Sequence, residues 1–335
     1  MKYRIENRRY TGSKAKLVNW IMGLIKENCS GKKFVDIFSG TGVVAAAAME
    51  SFDEIIVNDF LYSNYVIYQA FFDNGKYDIH KLEKIADEYN KLDPQSLNEN
   101  YFSTNFGSKY FDKNVAKIIG FIREDIENRK KSLTEKEYNI LLASLIYSVD
   151  KIANTVGHYD AYIKKEPVSK KLVFGLIEPI KNKKVSIYRT DSNLLARSIN
   201  ADIVYIDPPY NSRQYSRFYH ILETLTKWDS PELFGVAQKP FPENTSDYCK
   251  TSAPDVFKDL IENLKCKYIV VSYNNTYDSK SSSSKNKIKL EEIKEILNQR
   301  GKTDIYKKNY KFFNSGKTNF SNHQEWLFIT KTHDN

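Results

Sequence analysis

The sequence predicts an α/β protein with a doubly wound, mostly parallel sheet. Short apolar runs of strand length occur towards both ends of the chain, and each run ends in polar residues. The first run leads into a glycine-containing turn and then into an alanine-rich stretch, which is the order strand, turn, helix. A long segment with helical periodicity separates the two groups of runs. Strands that alternate with helices favour a parallel sheet.

The predicted strands can be placed in order along the chain. An apolar run at 34–38 forms the first strand, the turn at 39–42 follows, and VVAAAAME begins the next helix. DEIIVND is the second strand and ends at Asp59. KVSIYRTD, ADIVYIDPPY and CKYIVVSY are three further strands, and HQEWLFITK is the last. We expect the polar residues that close these runs to lie at the carboxyl ends of the strands.

The segment between the two groups of strands is predicted to be an inserted, mainly helical region. One helical face in it is formed by Tyr138, Leu141, Leu142, Leu145, Ile146 and Val149. We therefore assign residues 61–184 to the insertion, and residues 1–60 and 185–335 to a catalytic domain. The serine-rich segment 279–287 is predicted to be a flexible loop from its composition.

The composition indicates an acidic partner. The chain has 335 residues, a net charge of +9 and a pI of about 9.0, so nucleic acid is the first candidate. The alternative is a lysine-rich soluble protein whose composition reflects an AT-rich genome. Three cysteines and five histidines show neither a disulfide framework nor zinc spacing, so no metal is expected. The charged N-terminus is unlike a signal peptide and no run of about 18 apolar residues exists, so we expect a cytoplasmic protein without a membrane span.

The glycine turn has the character of a nucleoside-binding site. Gly40 and Gly42 permit a tight turn and the close approach of a ligand where a strand meets a helix. The turn is neither G-x-G-x-x-G nor a phosphate-binding loop, which argues against a dinucleotide or ATP. Asp59 ends the next strand and can accept both hydroxyls of a ribose. This combination suits S-adenosylmethionine, and the alternative is a structural turn beside a solvated aspartate.

The sequence Asp-Pro-Pro-Tyr at 207–210 is the second candidate for chemistry. It follows the apolar stretch DIVYI, and its two prolines end the strand. A base that undergoes chemistry must leave the stack, and its exocyclic amine then needs acceptors and a flat surface. Asp207 and the carbonyl of Pro208, fixed by the stiff bond to Pro209, supply two acceptors. Tyr210 supplies the surface. The alternative is an accidental turn after a strand.

Three widely spaced segments resemble those of one enzyme family. RRYTGSKAKL (8–17), VDIFSGTG and YIDPPY are similar to the N-terminal, cofactor and catalytic motifs of the Dam-like, D12 class of DNA adenine N6-methyltransferases. Their order, with an insertion before the catalytic motif, is that of the α group. The resemblance covers roughly 1–60 and 185–275 with the last strand. It implies a Rossmann-like S-adenosylmethionine-dependent fold and site-specific methylation of adenine, by an orphan enzyme or in a restriction-modification system.

The resemblance implies a role for each matching residue. The residues expected to hold the cofactor are Tyr10, Lys14, Asp36, Phe38, Gly40, Gly42, Asp59 and Asp191. The residues expected to hold a flipped adenine are Asp207, Pro208, Pro209 and Tyr210. Two positions depart from the family pattern, because Ser13 stands where a second glycine is usual and Tyr10 where relatives can carry tryptophan. We expect the serine to be tolerated.

The expected partner is double-stranded DNA, and a cognate restriction endonuclease would act as a separate protein. Arg213, Tyr215 and Arg217 follow the catalytic motif and are candidates for contacts to phosphate or guanine. His158 and Tyr159 are weaker candidates in the insertion, which would recognise the target sequence. For both groups the alternative is ordinary surface or loop structure.

Three other functions share parts of this pattern. An RNA methyltransferase can use the same tetrapeptide, but the segment Tyr-Thr-Gly-Ser-Lys and the long insertion argue against it. A cytosine N4-methyltransferase tends to carry serine at the first catalytic position, so Asp207 favours adenine. A catalytically dead DNA-binding relative is disfavoured by the presence of Asp59, Asp207 and Tyr210 together with the glycine turn.

Overall fold

A computed structural model describes residues 2–181, 184–276, 285–310 and 323–333. Most of the serine-rich segment predicted to be a loop therefore lies outside the described residues. The chain forms two compact units. The helical unit comprises Met1–Gly12, Leu61–Asn182 and Tyr215–Glu243, and the sheet unit comprises Ser13–Phe60, Lys183–Gln214 and Asn244–Asn335.

The secondary structure alternates between strands and helices in the sheet unit and is mainly helical in the other unit. The strands are β1 (Lys2–Tyr3), β2 (Lys33–Asp36), β3 (Glu54–Asn58), β4 (Leu176–Ile177), β5 (Lys184–Tyr188), β6 (Asn200–Ile206), β7 (Lys265–Asn274), β8 (Gly301–Asn309) and β9 (Gln324–Thr332). The α-helices are α1 (Val18–Asn28), α2 (Val43–Ala48), α3 (Tyr62–Phe72), α4 (Ile79–Asn90), α5 (Tyr101–Phe106), α6 (Lys113–Asn128), α7 (Glu135–Ile152), α8 (Ser192–Ser198), α9 (Tyr215–Phe218), α10 (His220–Lys227), α11 (Ala253–Asn263) and α12 (Leu290–Asn298).

The sheet unit is built on a sheet whose seven described strands have the order β5-β3-β2-β6-β7-β9-β8. Strands β5, β3, β2, β6 and β7 pair in parallel, and β9 pairs antiparallel with both β7 and β8. The strand order reverses between β2 and β6, and open α/β sheets bind ligands at the carboxyl ends of the strands at such a point. The predicted doubly wound, mostly parallel sheet is confirmed.

Both faces of the central strands are buried, which explains why these strands are continuous apolar runs. Val35, Val204 and Val271 share one apolar cluster with residues of α8, α11 and α12. Their neighbours along the chain point to the opposite face, where Phe34 and Tyr205 are buried and stack with ring centroids 6.4 Å apart. Helix α2 packs against β2 and β3.

Each strand predicted from an apolar run is present, as β2, β3, β5, β6, β7 and β9. Strand β8 was not predicted. Its sequence, GKTDIYKKN, has polar or charged residues at most positions, and its side chains are mostly exposed or half-buried. It lies at the edge of the sheet, where charged side chains protect the unpaired backbone from other strands. Such a strand lacks the apolar run on which the prediction depended.

Helix α7 is the centre of the helical unit. It begins at a capping box in which Thr134 and Glu137 bind each other's backbone. Residues 139–150 are all buried, so the helix packs on every side rather than on the single face predicted. It contacts α3, α6, α10 and β4. In the described part of the chain, α7 included, no helix has both the length and the apolar character needed to cross a membrane.

The helical unit contains more of the chain than the predicted insertion. Residues 1–12 and 215–243 were assigned to the catalytic domain, and in the structure they belong to the helical unit. Arg8 is buried and lies 3.8 Å from the carboxylate of Asp150 in α7. Arg123 of α6 is also buried, and it donates to two carbonyl groups of α10 at 2.7 and 3.1 Å. These contacts join both segments to helices of the insertion.

Candidate active site

Two aspartates lie at the ends of the neighbouring strands β2 and β6. Asp36 is the last residue of β2, and Asp207 comes directly after β6. The two strands pair in parallel, with Asp36 opposite Tyr205. Both aspartates therefore lie at the point where the strand order reverses. The cofactor motif and the catalytic motif predicted from the sequence meet at this edge of the sheet.

The glycine turn after β2 is joined to Asp59. Gly40 has φ 51° and Gly42 has φ 78°, in the left-handed region that glycine adopts without strain. The N–H of Gly42 donates to the carbonyl of Ser39 at 2.7 Å. The N–H of Gly40 donates to the carboxylate of Asp59 at 3.0 Å. The turn and the predicted ribose-binding acid are thus adjacent.

Asn58, which is fully buried at the end of β3, joins the ends of three strands. Its side-chain amide donates to the carbonyls of Ile37 at 3.2 Å and Thr190 at 3.1 Å. Its side-chain oxygen accepts the N–H of Thr190 at 3.0 Å. A buried amide with these partners fixes the loops that carry the cofactor candidates. Asn58 was not predicted from the sequence, where its only signal is its position beside Asp59.

Lys14 joins the N-terminal motif to the catalytic motif. Its side chain is buried, and Nζ lies 2.9 Å from Oδ1 and 2.8 Å from Oδ2 of Asp207. The same Nζ donates to the hydroxyl of Tyr210 at 2.6 Å, and that hydroxyl donates to Asp207. The resemblance placed Lys14 with the cofactor and the other two residues with the adenine. The structure brings all three into one hydrogen-bonded group.

Glu325 of β9 belongs to the same group. Its Oε1 accepts from the Ser272 hydroxyl at 2.6 Å and lies 3.1 Å from the Tyr210 hydroxyl, whose single proton it shares with Asp207. It also lies 3.5 Å from Nζ of Lys14. Glu325 was not predicted from the sequence, because a single acidic residue near the start of an apolar strand is usually exposed.

The ring of Tyr210 is held by residues of the sheet unit. It packs edge-to-face with Tyr273 of β7, with ring centroids 4.6 Å apart. The Tyr273 hydroxyl donates to the carbonyl of Tyr210 at 3.3 Å, and the backbone N–H of Lys287 donates to the same carbonyl at 2.7 Å. The position of the ring is therefore set by contacts other than those of its hydroxyl.

The pKa values of the grouped side chains are shifted by burial and by one another. Burial raises the pKa of Asp207 and Glu325 raises it further, and these effects exceed the lowering by Lys14 and Tyr210. Burial lowers the pKa of Lys14, but the carboxylates of Asp207 and Glu325 outweigh burial and raise it overall. Burial and the charge of Asp207 raise the pKa of Tyr210 well above its usual range. Lys14 is thus held protonated and charged, and Tyr210 is held neutral.

Asp36 is a buried carboxylate whose two oxygens have no hydrogen-bond partner among the described residues. Burial raises its pKa well above the usual range, and the charges of Asp207 and Asp59 raise it further. The backbone N–H of Ala45, which falls short of hydrogen-bonding geometry, and the charge of Lys14 offset only part of this effect. A buried charge is costly unless it is paired, so a cationic group of a ligand would be bound favourably here.

Asp191 and Phe38 lie in loops at the same end of the sheet. Asp191 accepts the N–H groups of Asn193 at 2.9 Å and Leu194 at 3.0 Å, and it thereby caps α8. Phe38 packs edge-to-face with Tyr248, with ring centroids 5.0 Å apart. The structure accounts for Asp191 as a helix cap, and its contact with the cofactor adenine stays a prediction.

Tyr10 lies in an aromatic stack of the helical unit. Its ring is parallel to that of Tyr219 at a centroid distance of 4.6 Å, and it is stacked on Tyr215 at 5.4 Å. The guanidinium of Arg8 lies 5.0 Å from the centroid of the Tyr10 ring. The stack joins a predicted cofactor residue to Tyr215, a predicted DNA contact, and both roles stay predictions.

The other residues predicted to contact DNA lie in different surroundings. Arg213 is part of the sheet unit, whereas Arg217 and His158 are part of the helical unit. Arg217 donates to the carbonyl of Pro240 at 2.6 Å. The imidazole of His158 stacks on Phe218 with ring centroids 4.4 Å apart. The contact of all three residues with DNA stays a prediction.

Tyr159 is buried, unlike a residue that contacts DNA. Its hydroxyl donates to Asp150 at 2.6 Å, and its backbone N–H donates to the carbonyl of Phe218 at 2.7 Å. A ring that is enclosed in this way has no face on which a base can stack. Tyr159 therefore supports the fold around Asp150.

A loop at 229–243 in the helical unit exposes apolar side chains that the sequence analysis did not identify. Phe234, Val236 and Phe241 are 50%, 78% and 80% exposed. The loop is nevertheless ordered by hydrogen bonds, because Phe234 and Lys239 exchange two backbone bonds at 2.8 and 3.0 Å. Ordered apolar side chains in water are a feature of contact surfaces.

The fold and the site together define a class of enzyme. A glycine turn with a ribose-type acid lies next to an Asp-Pro-Pro-Tyr turn, which is the arrangement expected for group transfer to an exocyclic amine. The chain belongs to the family of D12 class N6 adenine-specific DNA methyltransferases, whose model matches residues 10–276. The match spans both motifs and favours adenine in DNA over the RNA and cytosine alternatives.

Similar proteins are type II methyltransferases. The chain is 32% identical to the type II methyltransferase M.NlaIII of Neisseria lactamica, over 94% of this chain and 95% of that protein. It is 31% identical to the type II methyltransferase M.CviAII of Paramecium bursaria Chlorella virus 1, over 96% of this chain and 97% of that protein. It is 33% identical to the type II methyltransferase M.FokI of Planomicrobium okeanokoites, of which it spans about half the length, 52%.

Proposed function

We propose that this protein methylates the N6 amine of adenine within a specific sequence of duplex DNA, with S-adenosylmethionine as the methyl donor. In this proposal it is the modification enzyme of a restriction-modification system whose endonuclease is a separate protein. The observation that carries the proposal is the adjacency of Asp207, at the end of β6, to Asp36 and the glycine turn at the end of β2.

The residues at the end of β2 and β3 fit this cofactor. Asp36 offers buried carboxylate oxygens to a cationic group, and the cofactor carries an ammonium and a sulfonium. Because Gly40 and Gly42 have no side chains, a ligand can approach the backbone of the turn closely, and the Asp59 carboxylate beside the turn can accept the hydroxyls of a ribose. When bound, the cofactor supplies an electrophilic methyl group on positively charged sulfur.

The catalytic turn fits the exocyclic amine of a flipped adenine. The Asp207 carboxylate and the Pro208 carbonyl are two acceptors for the two N–H bonds of the amine, and they draw its lone pair out of conjugation with the ring. The Tyr210 ring, fixed by Tyr273, is a face on which the adenine can stack. These contacts hold the nitrogen in one orientation towards the methyl donor.

Asp207 also suits the proton transfer that completes the reaction. The nitrogen becomes positively charged when it gains the methyl group, and it must then lose one proton. A carboxylate whose pKa is raised by burial holds that developing charge and accepts the proton more readily than an exposed one. Lys14 keeps Asp207 ionised before the adenine binds, because its ammonium lies within hydrogen-bonding distance of both oxygens.

We further propose that the helical unit recognises the target sequence. The net charge of +9 belongs to the whole chain and supports contact of the protein with the phosphate backbone, to which Arg217 of the helical unit and Arg213 of the sheet unit would contribute. The exposed apolar residues of the loop at 229–243 support contact with base edges or base steps, where apolar side chains enter DNA grooves. Tyr215 and His158 of the same unit are the aromatic candidates for contact with DNA.

The test is methyl transfer from S-adenosylmethionine with a labelled methyl group to unmethylated duplex DNA, with ribosomal RNA as a second substrate. We expect label in the DNA alone, recovered as N6-methyladenine after digestion to nucleosides. Asp207→Ala is the control for contaminating activity. Label in RNA, or recovery of the label as N4-methylcytosine, would refute the proposal. If the enzyme methylates adenine in DNA, sequencing with modification detection identifies its target sequence.

A further inference from the structure

Glu325 is a second acceptor for the two donors that bind Asp207. Its Oε1 lies 3.1 Å from the hydroxyl of Tyr210 and 3.5 Å from Nζ of Lys14. The hydroxyl of Ser272 donates to the same oxygen at 2.6 Å and holds it in place. The Glu325 side chain is only 3% exposed. Because glutamate is rarely buried to this extent, its position beside the catalytic motif needs a physical reason.

The donors occupy Asp207 in this structure. Nζ of Lys14 lies within 2.9 Å of both carboxylate oxygens, and the Tyr210 hydroxyl donates to Oδ1. A carboxylate in contact with an ammonium ion is a weaker acceptor for a neutral amine, since the cation offsets its charge. Asp207 can therefore bind an adenine amine strongly only when these donors turn to another acceptor.

We propose that Glu325 is a positioning residue that accepts the Lys14 ammonium and the Tyr210 hydroxyl when the adenine amine binds to Asp207. The inference rests on the proposed function, in which Asp207 accepts from that amine. The movement is small, because a shift of Lys14 by less than about 1 Å would shorten its contact with Glu325 to the length of a charge-assisted hydrogen bond. Lys14 stays paired throughout, which avoids an isolated buried charge.

The same arrangement gives Glu325 an effect on the ionisation of Asp207. Glu325 raises the pKa of Asp207, whereas Lys14 and Tyr210 lower it. The charged and titratable groups that face these two carboxylates are Lys14, Asp36, Tyr205, Tyr210, Tyr310 and His323. Removal of the charge of Glu325 should lower the pKa of Asp207. The methylation rate falls as Asp207 becomes protonated, so this fall would occur at lower pH.

Two substitutions separate the charge of Glu325 from its position. Glu325→Gln keeps the shape and an acceptor oxygen but removes the charge. Glu325→Asp keeps the charge but withdraws it by one methylene from Lys14 and Tyr210. The matched control is Glu54→Gln, since Glu54 forms an ion pair of 2.7 Å with Lys184 at the amino end of the same sheet. Single-turnover methylation would be measured across pH, with cofactor affinity, DNA affinity and thermal unfolding on the same preparations.

We expect both Glu325 variants to be about 10- to 100-fold slower than wild type in single turnover, the factor that one charge-assisted hydrogen bond supplies, with little change in either affinity. Only Glu325→Gln should move the acidic fall of the rate to lower pH. A purely structural role would lower the melting temperature and leave the pH profile unchanged. The control should retain the wild-type rate and profile.

Wild-type rates in a folded Glu325→Gln or Glu325→Asp variant would overturn the inference, and if the glutamine variant does not fold, the rate of the aspartate variant decides. Asp207→Ala separates this inference from the proposed function. If Asp207→Ala methylates at the wild-type rate, the proposed function fails. If it is inactive while the Glu325 variants are normal, only the role of Glu325 fails.

Discussion

The substitution Tyr210→Phe separates the two parts of the Tyr210 side chain. It removes the hydroxyl and keeps the ring, whose edge-to-face contact with Tyr273 at 4.6 Å does not involve the hydroxyl. The lost hydroxyl donates to Asp207 and accepts from Lys14 at 2.6 Å. These two partners still pair with each other within 2.9 Å, so the substitution leaves neither of them without a buried partner.

The structure therefore predicts a modest effect for phenylalanine and a large one for alanine. Loss of the two hydrogen bonds of the hydroxyl, whose partners remain paired with each other, costs about 1–2 kcal/mol, or roughly 5- to 30-fold in rate. Tyr210→Ala also removes the stacking face, which is worth about 1–3 kcal/mol to a flipped base. Tyr210→Trp keeps a ring and should lie close to phenylalanine. The order of rates should be wild type, then phenylalanine and tryptophan, then alanine.

Two measurements on the same variants test this order. Single-turnover methylation gives the rate of the chemical step, and 2-aminopurine in place of the target adenine reports base flipping through its fluorescence. We expect the fluorescence rise to persist in Tyr210→Phe and to be lost in Tyr210→Ala. If Tyr210→Phe is as slow as Tyr210→Ala but still flips the base, the hydroxyl takes part in the chemistry and the stacking argument is wrong.

Three further predictions follow from the cofactor residues, the net charge and the ionisation of Asp207. Asp59→Ala should weaken S-adenosylmethionine binding by about 10- to 150-fold in a folded protein, because a charge-assisted acceptor is lost, and unchanged affinity in a calorimetric titration would remove Asp59 from the cofactor site. A plot of the logarithm of DNA affinity against the logarithm of salt concentration should have a slope near −4 to −5 if about four to six phosphates are neutralised. A slope near zero in binding titrations would show that the basic residues do not contact DNA phosphates. The methylation rate should fall in acid as Asp207 becomes protonated, and because burial raises the pKa of Asp207 this fall should occur above the ordinary range for aspartate. Lys14→Gln should move the fall to higher pH, since Lys14 lowers the pKa of Asp207, and a rate–pH profile would show both effects.

Local sequence was sufficient for the motifs and for the strands that are buried on both faces. The glycine turn and the Asp-Pro-Pro-Tyr turn are contiguous segments whose conformations depend on glycine and proline. The central residues of β6 and β7 are apolar because they pack in a cluster with residues of the neighbouring helices. Edge strand β8 was missed, since it pairs on one side only among the described strands and its residues are mostly charged or polar.

Residues that act through distant contacts could not be predicted in this way. Glu325 lies 115 positions after Tyr210, and only the antiparallel placement of β9 beside β7 brings it to the Tyr210 hydroxyl. Asn58 has its partners on the loops after β2 and β5, 21 and 132 positions away. The N-terminal segment illustrates the same limit. Arg8 lies six positions before Lys14, yet it packs against Asp150 in the helical unit.

Asp36 is a residue at which we expect the requirements of folding and of the proposed cofactor binding to conflict. Its carboxylate is buried without a hydrogen-bond partner among the described residues, and burial raises its pKa well above the usual range. A carboxyl group with a raised pKa binds more protons in the folded than in the unfolded protein. Its contribution to the free energy of unfolding therefore becomes less favourable as pH rises from the unfolded pKa to the folded one.

Asp36→Asn should remove this loss of stability and weaken the binding of the cofactor. The melting temperature of the variant should exceed that of wild type by more at alkaline pH than at acidic pH, while S-adenosylmethionine binds about 10- to 150-fold more weakly because the charged acceptor is gone. Asp202→Asn of β6 is the opposite control. Burial raises the pKa of Asp202, but hydrogen bonds from Lys267 and from the backbone outweigh burial and lower the pKa to about 2. The ionised carboxylate therefore stabilises the fold above that pH, and Asp202→Asn should have a lower melting temperature than wild type. If Asp36→Asn instead melts lower and binds the cofactor normally, Asp36 is a structural residue and the cationic end of the cofactor is held elsewhere.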